Sequence, residues 1–166
     1  MKEDNYTTIT LTSSINIKPS NLRGDINKII LNILKNRFEG ICNKDGYIIK
    51  DSIELIERSI GEILTITNES IINYKVTYKA DIIFPSEGDE YACYVDTINK
   101  FGIIAYLKLS DGDTLKESPF IIIIPKEYIP DDEYNKININ EKLSVRIKSF
   151  RIKYNSSHIQ VVATLV

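Results

Sequence analysis

The amino-acid sequence predicts an α+β fold in two parts: a strand, helix and antiparallel sheet over residues 1–85, then a small β-barrel over residues 86–166. Three observations support this prediction. Apolar residues follow a helical repeat near the N-terminus, a turn-forming run (Pro85-Ser86-Glu87-Gly88-Asp89) interrupts the middle of the chain, and only strand patterns follow that run. Five short strands in roughly 80 residues favour a five-stranded barrel of OB type.

The helix is predicted by apolar residues that recur at every third or fourth position from Ile26 to Phe38. Asp25 suits the N-cap, Lys35 and Arg37 suit the last turn, and a glycine at position 40 suits the stop. Before the helix, the alternating run YTTITL (6–11) predicts a strand, and a turn-rich link lies between the two.

The rest of the first part predicts a sheet. Residues 40–50 predict a hairpin around Asp45-Gly46. Residues 70–84 predict a long strand with Tyr74, Val76 and Tyr78 on one face. Between them, residues 51–66 fit either a helix or strands, because isoleucines recur at helical spacing while the alternation and Gly61 favour strands.

In the second part, Gly102 follows Phe101 inside a long strand pattern. A glycine weakens a strand unless the chain must bend or another group comes close, so we expect Gly102 to bend the first barrel strand. Such a bend would leave the Phe101 ring on the surface, where OB barrels stack bases. The predicted barrel strands are 90–100, 102–109, 119–124, 142–154 and 158–166.

A local basic stripe lies in the fourth predicted barrel strand. From 142 to 158 there are five Lys or Arg residues and no acidic residue, and the apolar parity switches near Lys148-Ser149, which predicts a β-bulge. RNA phosphate contact is one interpretation and an ordinary solvated face is the other. The net charge of −2 makes bulk attraction to nucleic acid unexpected. The candidate RNA-binding residues are Phe101, Arg146, Lys148, Arg151, Lys153 and His158.

We expect no catalytic centre, no cofactor, no metal and no membrane segment. Two distant cysteines, Cys42 and Cys93, with a single histidine do not complete a zinc site, and they suggest buried free thiols. The acidic run 131–133 is expected to be a solvated loop rather than a cation site. No phosphate-binding glycine loop is present, and the longest aliphatic run, 121–124, is too short to span a bilayer.

Two longer stretches resemble a known family. The run GDEYACYVDTINKFGIIAYL (88–107) resembles the opening of the S1 RNA-binding motif. FEGICNKDGYIIK (38–50) and YKVTYKADIIFPSEGDE (74–90) together resemble the stalk subunit of archaeal and eukaryotic multisubunit RNA polymerases, the seventh-largest-subunit family. The order of strand, helix, these motifs and the barrel matches over nearly the whole chain.

The resemblance implies a non-catalytic accessory subunit of a DNA-directed RNA polymerase. Residues 1–85 would form a tip domain that docks on the core subunits near the clamp, and residues 86–166 an S1-type OB domain that touches nascent single-stranded RNA. In many members a fourth-subunit partner binds alongside. By motif position, Arg151 and His158 fall where S1 barrels present RNA contacts. The segment implied in docking comprises Ser59, Ile60, Gly61, Glu62 and Ile63.

The sequence departs from the family in two places. SIGEILTITNES (59–70) replaces a glycine-rich loop, and Ile104 replaces the second aromatic residue of the motif. A free-standing S1-type RNA-binding factor in translation or RNA decay is the alternative function. The 32 Ile, 16 Lys and 14 Asn have AT-rich codons, which fits a parasite, an endosymbiont or a large DNA virus. We therefore expect an intracellular protein, in the virion and host cytoplasm if viral and otherwise in the nucleus.

Overall fold

A computed structural model describes residues 6–166, which form two compact units. The helical unit consists of Tyr6–Glu39 and Ile48–Ile82, and the barrel unit consists of Gly40–Tyr47 and Ile83–Val166. The described chain is mostly β with two α-helices, and it contains a closed five-stranded barrel. This confirms the mixed fold class and the barrel. The barrel unit also takes in residues 40–47, which lie within the first predicted part.

The structural elements run from Thr7 to Leu165. In chain order they are β1 (Thr7–Ile17), α1 (Ile26–Phe38), β2 (Cys42–Asn43), β3 (Gly46–Ile48), β4 (Glu54–Arg58), β5 (Glu62–Ile66), β6 (Glu69–Ile83), β7 (Glu90–Asn99), β8 (Gly102–Tyr106), β9 (Phe120–Pro125), α2 (Asp131–Tyr134), β10 (Lys142–Arg151) and β11 (Ile159–Leu165). Single 3₁₀ turns occupy Pro19–Asn21 and Lys126–Tyr128.

Helix α1 has the start and the end that its sequence predicts. The Asp25 carboxylate accepts a hydrogen bond from the Asn27 backbone N–H at 3.0 Å, which satisfies one free donor of the first turn. Two basic residues lie in the last turn, where they complement the helix dipole. Ile30 and Leu34, one turn apart, are fully buried, so the apolar stripe of the helix faces the core.

Strand β6 is the centre of the sheet in the helical unit. It pairs antiparallel with β1 along one edge and with β4 and β5 along the other. Tyr74, Val76 and Tyr78 are buried on one face, as the alternation predicts, and the Tyr78 ring stacks on Phe38 of α1 at 5.9 Å. The opposite face is polar: on it, the Asn73 amide donates hydrogen bonds to side chains of β1.

The ambiguous segment 51–66 forms two strands, β4 and β5, rather than a helix. Both lie along the same edge of β6, and the link between them stays close to that edge. The Ser59 backbone N–H donates to the Lys75 carbonyl at 2.8 Å, and the Ser59 hydroxyl accepts from the Lys75 N–H at 2.9 Å. A Cβ on Gly61 would lie 2.6 Å from Ile72 Cγ2, so the link passes where only glycine fits.

The hairpin of β2 and β3 has a different turn from the one expected. Asn43 pairs with Gly46, so the two turn residues are Lys44-Asp45 rather than Asp45-Gly46. The Asn43 side-chain oxygen accepts hydrogen bonds from the backbone N–H groups of Asp45, at 2.7 Å, and Gly46, at 3.1 Å. This side-chain turn fixes the register one residue earlier than the Asp-Gly pair suggests.

All five predicted barrel strands are present, as β7 to β11. Their order around the barrel is β7-β8-β9-β11-β10, and β10 pairs with β7 to close it. The pairing of β9 with β11 is parallel and the other pairings are antiparallel. This arrangement is consistent with an OB fold. Inward-facing side chains from every strand are fully buried: Cys93, Val95, Ile103, Ala105, Phe120, Ile124, Val145, Ile159, Val161 and Ala163.

The expectation that Gly102 bends the first barrel strand is wrong. Strand β7 ends at Asn99, Lys100-Phe101 form a two-residue turn, and Gly102 is the first residue of β8, paired with Pro125 of β9. Its φ is +150°, and an added Cβ would lie 2.2 Å from the Ile124 carbonyl oxygen. Gly102 is therefore required by the close approach of two strands.

The predicted bulge in the basic strand is confirmed. The register of β10 against β11 shifts between Ile147 and Ser149, which leaves Lys148 as the extra residue. The bulge lets Ile147 face the core while both Lys148 and Ser149 are exposed.

Replacing Gly102 with Ala should destabilise the chain by about 3 kcal/mol, because the new methyl group overlaps β9 and the backbone conformation disfavours a side chain. Gly112→Ala is the matched control. That glycine also has positive φ (+91°) but has nothing within 4 Å of the added Cβ, so we expect a loss of about 1 kcal/mol. Urea unfolding of both variants measures the difference. Equal losses would contradict the role given to the contact with Ile124.

Candidate nucleic-acid interface

Two rows of side chains on the outward side of the barrel strands cross several strands, and all but the buried Tyr106 are partly or fully exposed. Strand pairing aligns the first row across β7, β8, β9, β11 and β10 as Tyr94, Tyr106, Ile121, Gln160 and Arg151. The second row aligns as Thr97, Ile104, Ile123 and Val162. OB barrels bind oligonucleotides on the face of their second and third strands and on the loops beside it. Those strands are β8 and β9 here, so both rows cross the relevant face.

The chemistry of this face is more aliphatic than aromatic. Ile104 and Ile123 are paired neighbours, and Ile123 is 40% exposed. The two tyrosines of the first row lie with their ring centroids 6.2 Å apart, and Lys108 Nζ lies 4.3 Å from the Tyr94 ring centroid. Tyr106 is only 6% exposed, so a base placed here would meet one cation beside the partly exposed Tyr94 ring, with an aliphatic surface next to it.

The turn between β7 and β8 holds Phe101 with a fixed backbone and an exposed ring. The Phe101 N–H donates to the Asn99 side-chain oxygen at 2.9 Å, and its carbonyl accepts from the Lys126 N–H at 2.9 Å. The ring is 75% exposed, and Lys100 Nζ lies 5.0 Å from its centroid. An exposed ring on an ordered backbone is the geometry of a stacking platform, because little freedom is lost when a base settles on it.

The connection between β10 and β11 carries Lys153 and Tyr154, both exposed. Two backbone hydrogen bonds tie it to the β2–β3 hairpin of the same unit. The Cys42 N–H donates to the Ser156 carbonyl at 2.8 Å, and the Asn155 N–H donates to the Cys42 carbonyl at 3.0 Å. The connection is therefore held in place, although its side chains face solvent.

The four candidate basic residues of the stripe, Arg146, Lys148, Arg151 and Lys153, are all exposed but are not equivalent. Arg146 forms an ion pair with Glu90 on the neighbouring strand β7, with a distance of 3.1 Å between Nε and Oε1. This pair neutralises much of the charge expected from Arg146. Lys148, Arg151 and Lys153 form no ion pair with any residue in the described range 6–166.

His158 is half-buried at the start of β11. Its backbone carbonyl accepts a hydrogen bond from the Ser156 hydroxyl at 2.9 Å, and its ring Nδ1 lies 3.2 Å from the Ser157 hydroxyl. Both contacts are local, so the histidine orders the end of the β10–β11 connection.

Four of the predicted RNA-binding residues, Phe101, Arg151, Lys153 and His158, lie at two places on the barrel rather than one. Arg151 of β10 pairs with Gln160 of β11, and Gln160 pairs with Ile121 of β9. Lys153 lies two residues after Arg151, and His158 lies two residues before Gln160. Phe101 precedes Gly102, which pairs with Pro125. Four residues of β9 therefore separate the two positions along the strands, or about 13 Å. Phe101 and Arg151 therefore occupy different positions along the barrel strands.

Side chains that the sequence reasoning passed over complete the site. Lys100 beside Phe101 and Tyr154 beside Lys153 add a cation and a ring at the two ends. Lys108 with its tyrosine pair adds a third position. The known OB strand order would have been enough to predict Lys100 in the β7–β8 turn and Tyr154 in the β10–β11 connection. Lys108 and its tyrosines can be found only from the pairing of β7 with β8.

The proposed docking residues lie in the helical unit, on the link from β4 to β5 (residues 59–61) and at the start of β5 (Glu62 and Ile63). Ile60 is 91% exposed and Ile63 is 73% exposed, and Glu62 is exposed between them. Ser59 and Gly61 are half-buried, because the first bonds to β6 and the second passes over it. Two further isoleucines of β4 and β5, Ile56 and Ile66, are about half exposed.

Burial changes the acid–base behaviour of four groups in the barrel unit. It raises the pKa of Cys42 to about 11 and that of Cys93 to about 12, and both thiols are free and buried, as predicted. Burial, followed by the nearby Asp89 carboxylate, raises the pKa of Tyr91 to about 12. Burial is also the main reason that the pKa of Tyr47 rises to about 12. Neither thiol has the features of a nucleophile or a metal ligand.

Among residues 6–166, no three His, Cys, Asp or Glu side chains cluster in a way that could hold a metal ion. Over the same range, no helix is both long enough and apolar enough to cross a membrane. Comparison of the chain with protein-family models and with curated proteins found no match.

The buried thiols should react slowly in the folded chain. A rise in pKa from 9.0 to about 11 lowers the thiolate fraction of Cys42 at pH 8 about a hundredfold, and Cys93 should be at least as slow. Both thiols should react at ordinary rates once urea has unfolded the protein. The rate of modification by a chromogenic disulfide reagent, with and without urea, measures this. Rapid modification of either thiol in the folded chain would contradict it.

Proposed function

We propose that this chain is a non-catalytic stalk subunit of a DNA-directed RNA polymerase. Residues 59–63 dock on core subunits near the clamp, and the S1-type OB barrel contacts nascent single-stranded RNA. This function is taken from the resemblance of the sequence motifs to the stalk-subunit family. The observation in the structure that supports it best is the exposure of Ile60 and Ile63 in the segment that the resemblance implies for docking.

Exposed isoleucines at these positions need an explanation. Apolar side chains stabilise a protein by about 25 cal/mol per Å² removed from water, and Ile60 and Ile63 leave most of that area in solvent. Clusters of exposed apolar side chains mark interaction surfaces more often than chance. A free-standing RNA-binding factor needs no such surface, whereas a subunit that docks on a larger enzyme does.

The barrel supports RNA contact through its two ends. One end presents the Phe101 ring with Lys100, and the other presents Arg151, Lys153 and Tyr154. Single strands bind OB barrels by base stacking on aromatic rings and by charge contacts to phosphates, with several nucleotides per barrel. A strand laid across β8 and β9 would reach both ends. The aliphatic second row offers no ring, so we propose weak binding with little sequence preference.

Replacing Ile60 and Ile63 with Asp should abolish assembly with the polymerase, because two charges would then be buried in the docking surface. Ile139→Asp is the matched control, since Ile139 is 61% exposed and lies in the barrel unit. The measurement is affinity purification of tagged variants from the source organism, with the large polymerase subunits identified by mass spectrometry.

If both variants and the unmodified chain retain these subunits equally, docking through residues 59–63 is wrong. If the unmodified chain brings down ribosomes or nucleases and no polymerase, the free-standing RNA-binding factor replaces the stalk subunit as the function. Unchanged circular dichroism spectra would show that the substitutions leave the fold intact.

Phe101→Ala should weaken binding to labelled oligouridylate about tenfold at every salt concentration, since one ring contributes roughly 1–3 kcal/mol of stacking. Arg151→Ala with Lys153→Ala should reduce the slope of log affinity against log salt by about 1.4, or about 0.7 for each phosphate that is no longer neutralised. Arg146→Ala is the control, and its effect should be smaller because Glu90 already pairs with it. Fluorescence anisotropy across a salt series measures all three. Identical curves for all variants would remove RNA contact from the proposal.

A further inference from the structure

The sheet of the helical unit has an open edge at β5. This strand pairs with β6 on one side, and no other strand of the described chain pairs with its second side. A two-residue turn, Thr67-Asn68, joins it to β6, and both turn residues have positive φ. The Ile66–Glu69 pair beside such a turn is hydrogen-bonded, and hydrogen-bonded and non-bonded pairs alternate along an antiparallel ladder. Ile63 and Thr65 therefore direct their backbone N–H and C=O groups away from β6.

This edge has little of the usual protection against further pairing. Proteins blunt exposed edges with charged side chains, above all lysine, with proline or with a covering segment. Strand β5 contains no lysine and no proline, and its one charged side chain is Glu62. Ile63 and Ile66 are exposed on the strand itself, and Ile60 projects from the link before it. Strand β1 ends the sheet on its other side, and none of its large apolar residues is exposed. The chemistry for capturing another strand is therefore concentrated at β5.

The charges around β5 restrict the kind of strand that fits. Glu54, Glu57 and Glu62 lie on or beside this edge, and none of them forms an ion pair with a residue in the described range. The single cation of β4, Arg58, donates a hydrogen bond to Asn27 of α1 at 2.7 Å. The bond directs the Arg58 guanidinium toward α1, and the three glutamates outnumber this one cation, so β4 and β5 together carry a net negative charge beside exposed apolar residues.

We propose that β5 binds an extended segment of a partner protein by strand addition, and that this segment alternates β-branched apolar residues and carries lysine or arginine. The backbone groups of Ile63 and Thr65 supply the hydrogen bonds, the exposed isoleucines supply apolar contact, and the glutamates select for cations. This inference rests on the proposed function only in its choice of partner: in the polymerase, a core subunit provides the strand.

A synthetic peptide that alternates valine and threonine between terminal lysines is the probe, and the same peptide with terminal glutamates is its control. Titration into the ¹⁵N-labelled full chain should shift and protect the amides of Ile63 and Thr65 at millimolar peptide. The glutamate peptide should bind at least tenfold more weakly, and added salt should reduce the difference.

Thr65→Pro removes an outward N–H while leaving the bonds to β6, so it should abolish binding of the lysine peptide. Thr65→Val keeps the N–H and the branched side chain, and it should bind as the unmodified chain does. Ile63→Lys blocks the same edge by charge, and it replaces the proline variant if that variant fails to fold. The proposal is overturned if the lysine peptide leaves the β5 amides unchanged, or if Thr65→Pro binds as well as Thr65→Val.

Affinity purification with the same variants separates this inference from the proposed function. Loss of the polymerase subunits with Thr65→Pro but not with Thr65→Val would support strand addition to the enzyme. Retention of those subunits by both variants would overturn strand addition to the polymerase and leave the stalk assignment standing. Peptide binding at β5 without any polymerase in the purification would overturn the stalk assignment and leave the strand site standing.

Discussion

Strands β8 and β9 approach each other at Gly102 more closely than any side chain would allow, and the barrel depends on that approach. The pairing of Gly102 with Pro125 sets the register of β8 against β9, and β9 in turn sets the register of β11 through the parallel ladder. This register determines which residues of these strands face the core and which face outward, because a slip of one residue would exchange the two faces. The fully buried Ile103 and Ile124 and the exposed Ile123 are consequences of it.

The same register determines what the barrel can offer a ligand. It places the Phe101 ring at one end of the face and Arg151 at the other, with an aliphatic surface between them. The Arg146–Glu90 pair shows why a count of charges along one strand overstates the positive field. A cation contributes to binding only where the neighbouring strand leaves it unpaired, and only the three-dimensional pairing reveals that.

Patterns with a strong local cause could be predicted from the sequence. The cap of α1 at Asp25, the buried parity of β6 and the bulge after Ile147 each depend on residues close together in the chain. The segment 51–66 could not be assigned, because its isoleucines are mostly exposed, and their spacing does not report a buried face. The hairpin turn was displaced by one residue because the Asn43 side chain, rather than an Asp-Gly pair, sets it.

The two hydrogen bonds between Cys42 and the β10–β11 connection join parts of the chain that are far apart in sequence. During synthesis the β2–β3 hairpin is made more than 100 residues before Asn155 and Ser156. The barrel unit can therefore reach its final arrangement only after the β10–β11 connection has been made. A fragment that begins at residue 86 would lack the hairpin. In that fragment the Asn155 N–H and the Ser156 carbonyl would lose their hydrogen-bond partners at Cys42 and would have to bond to water instead.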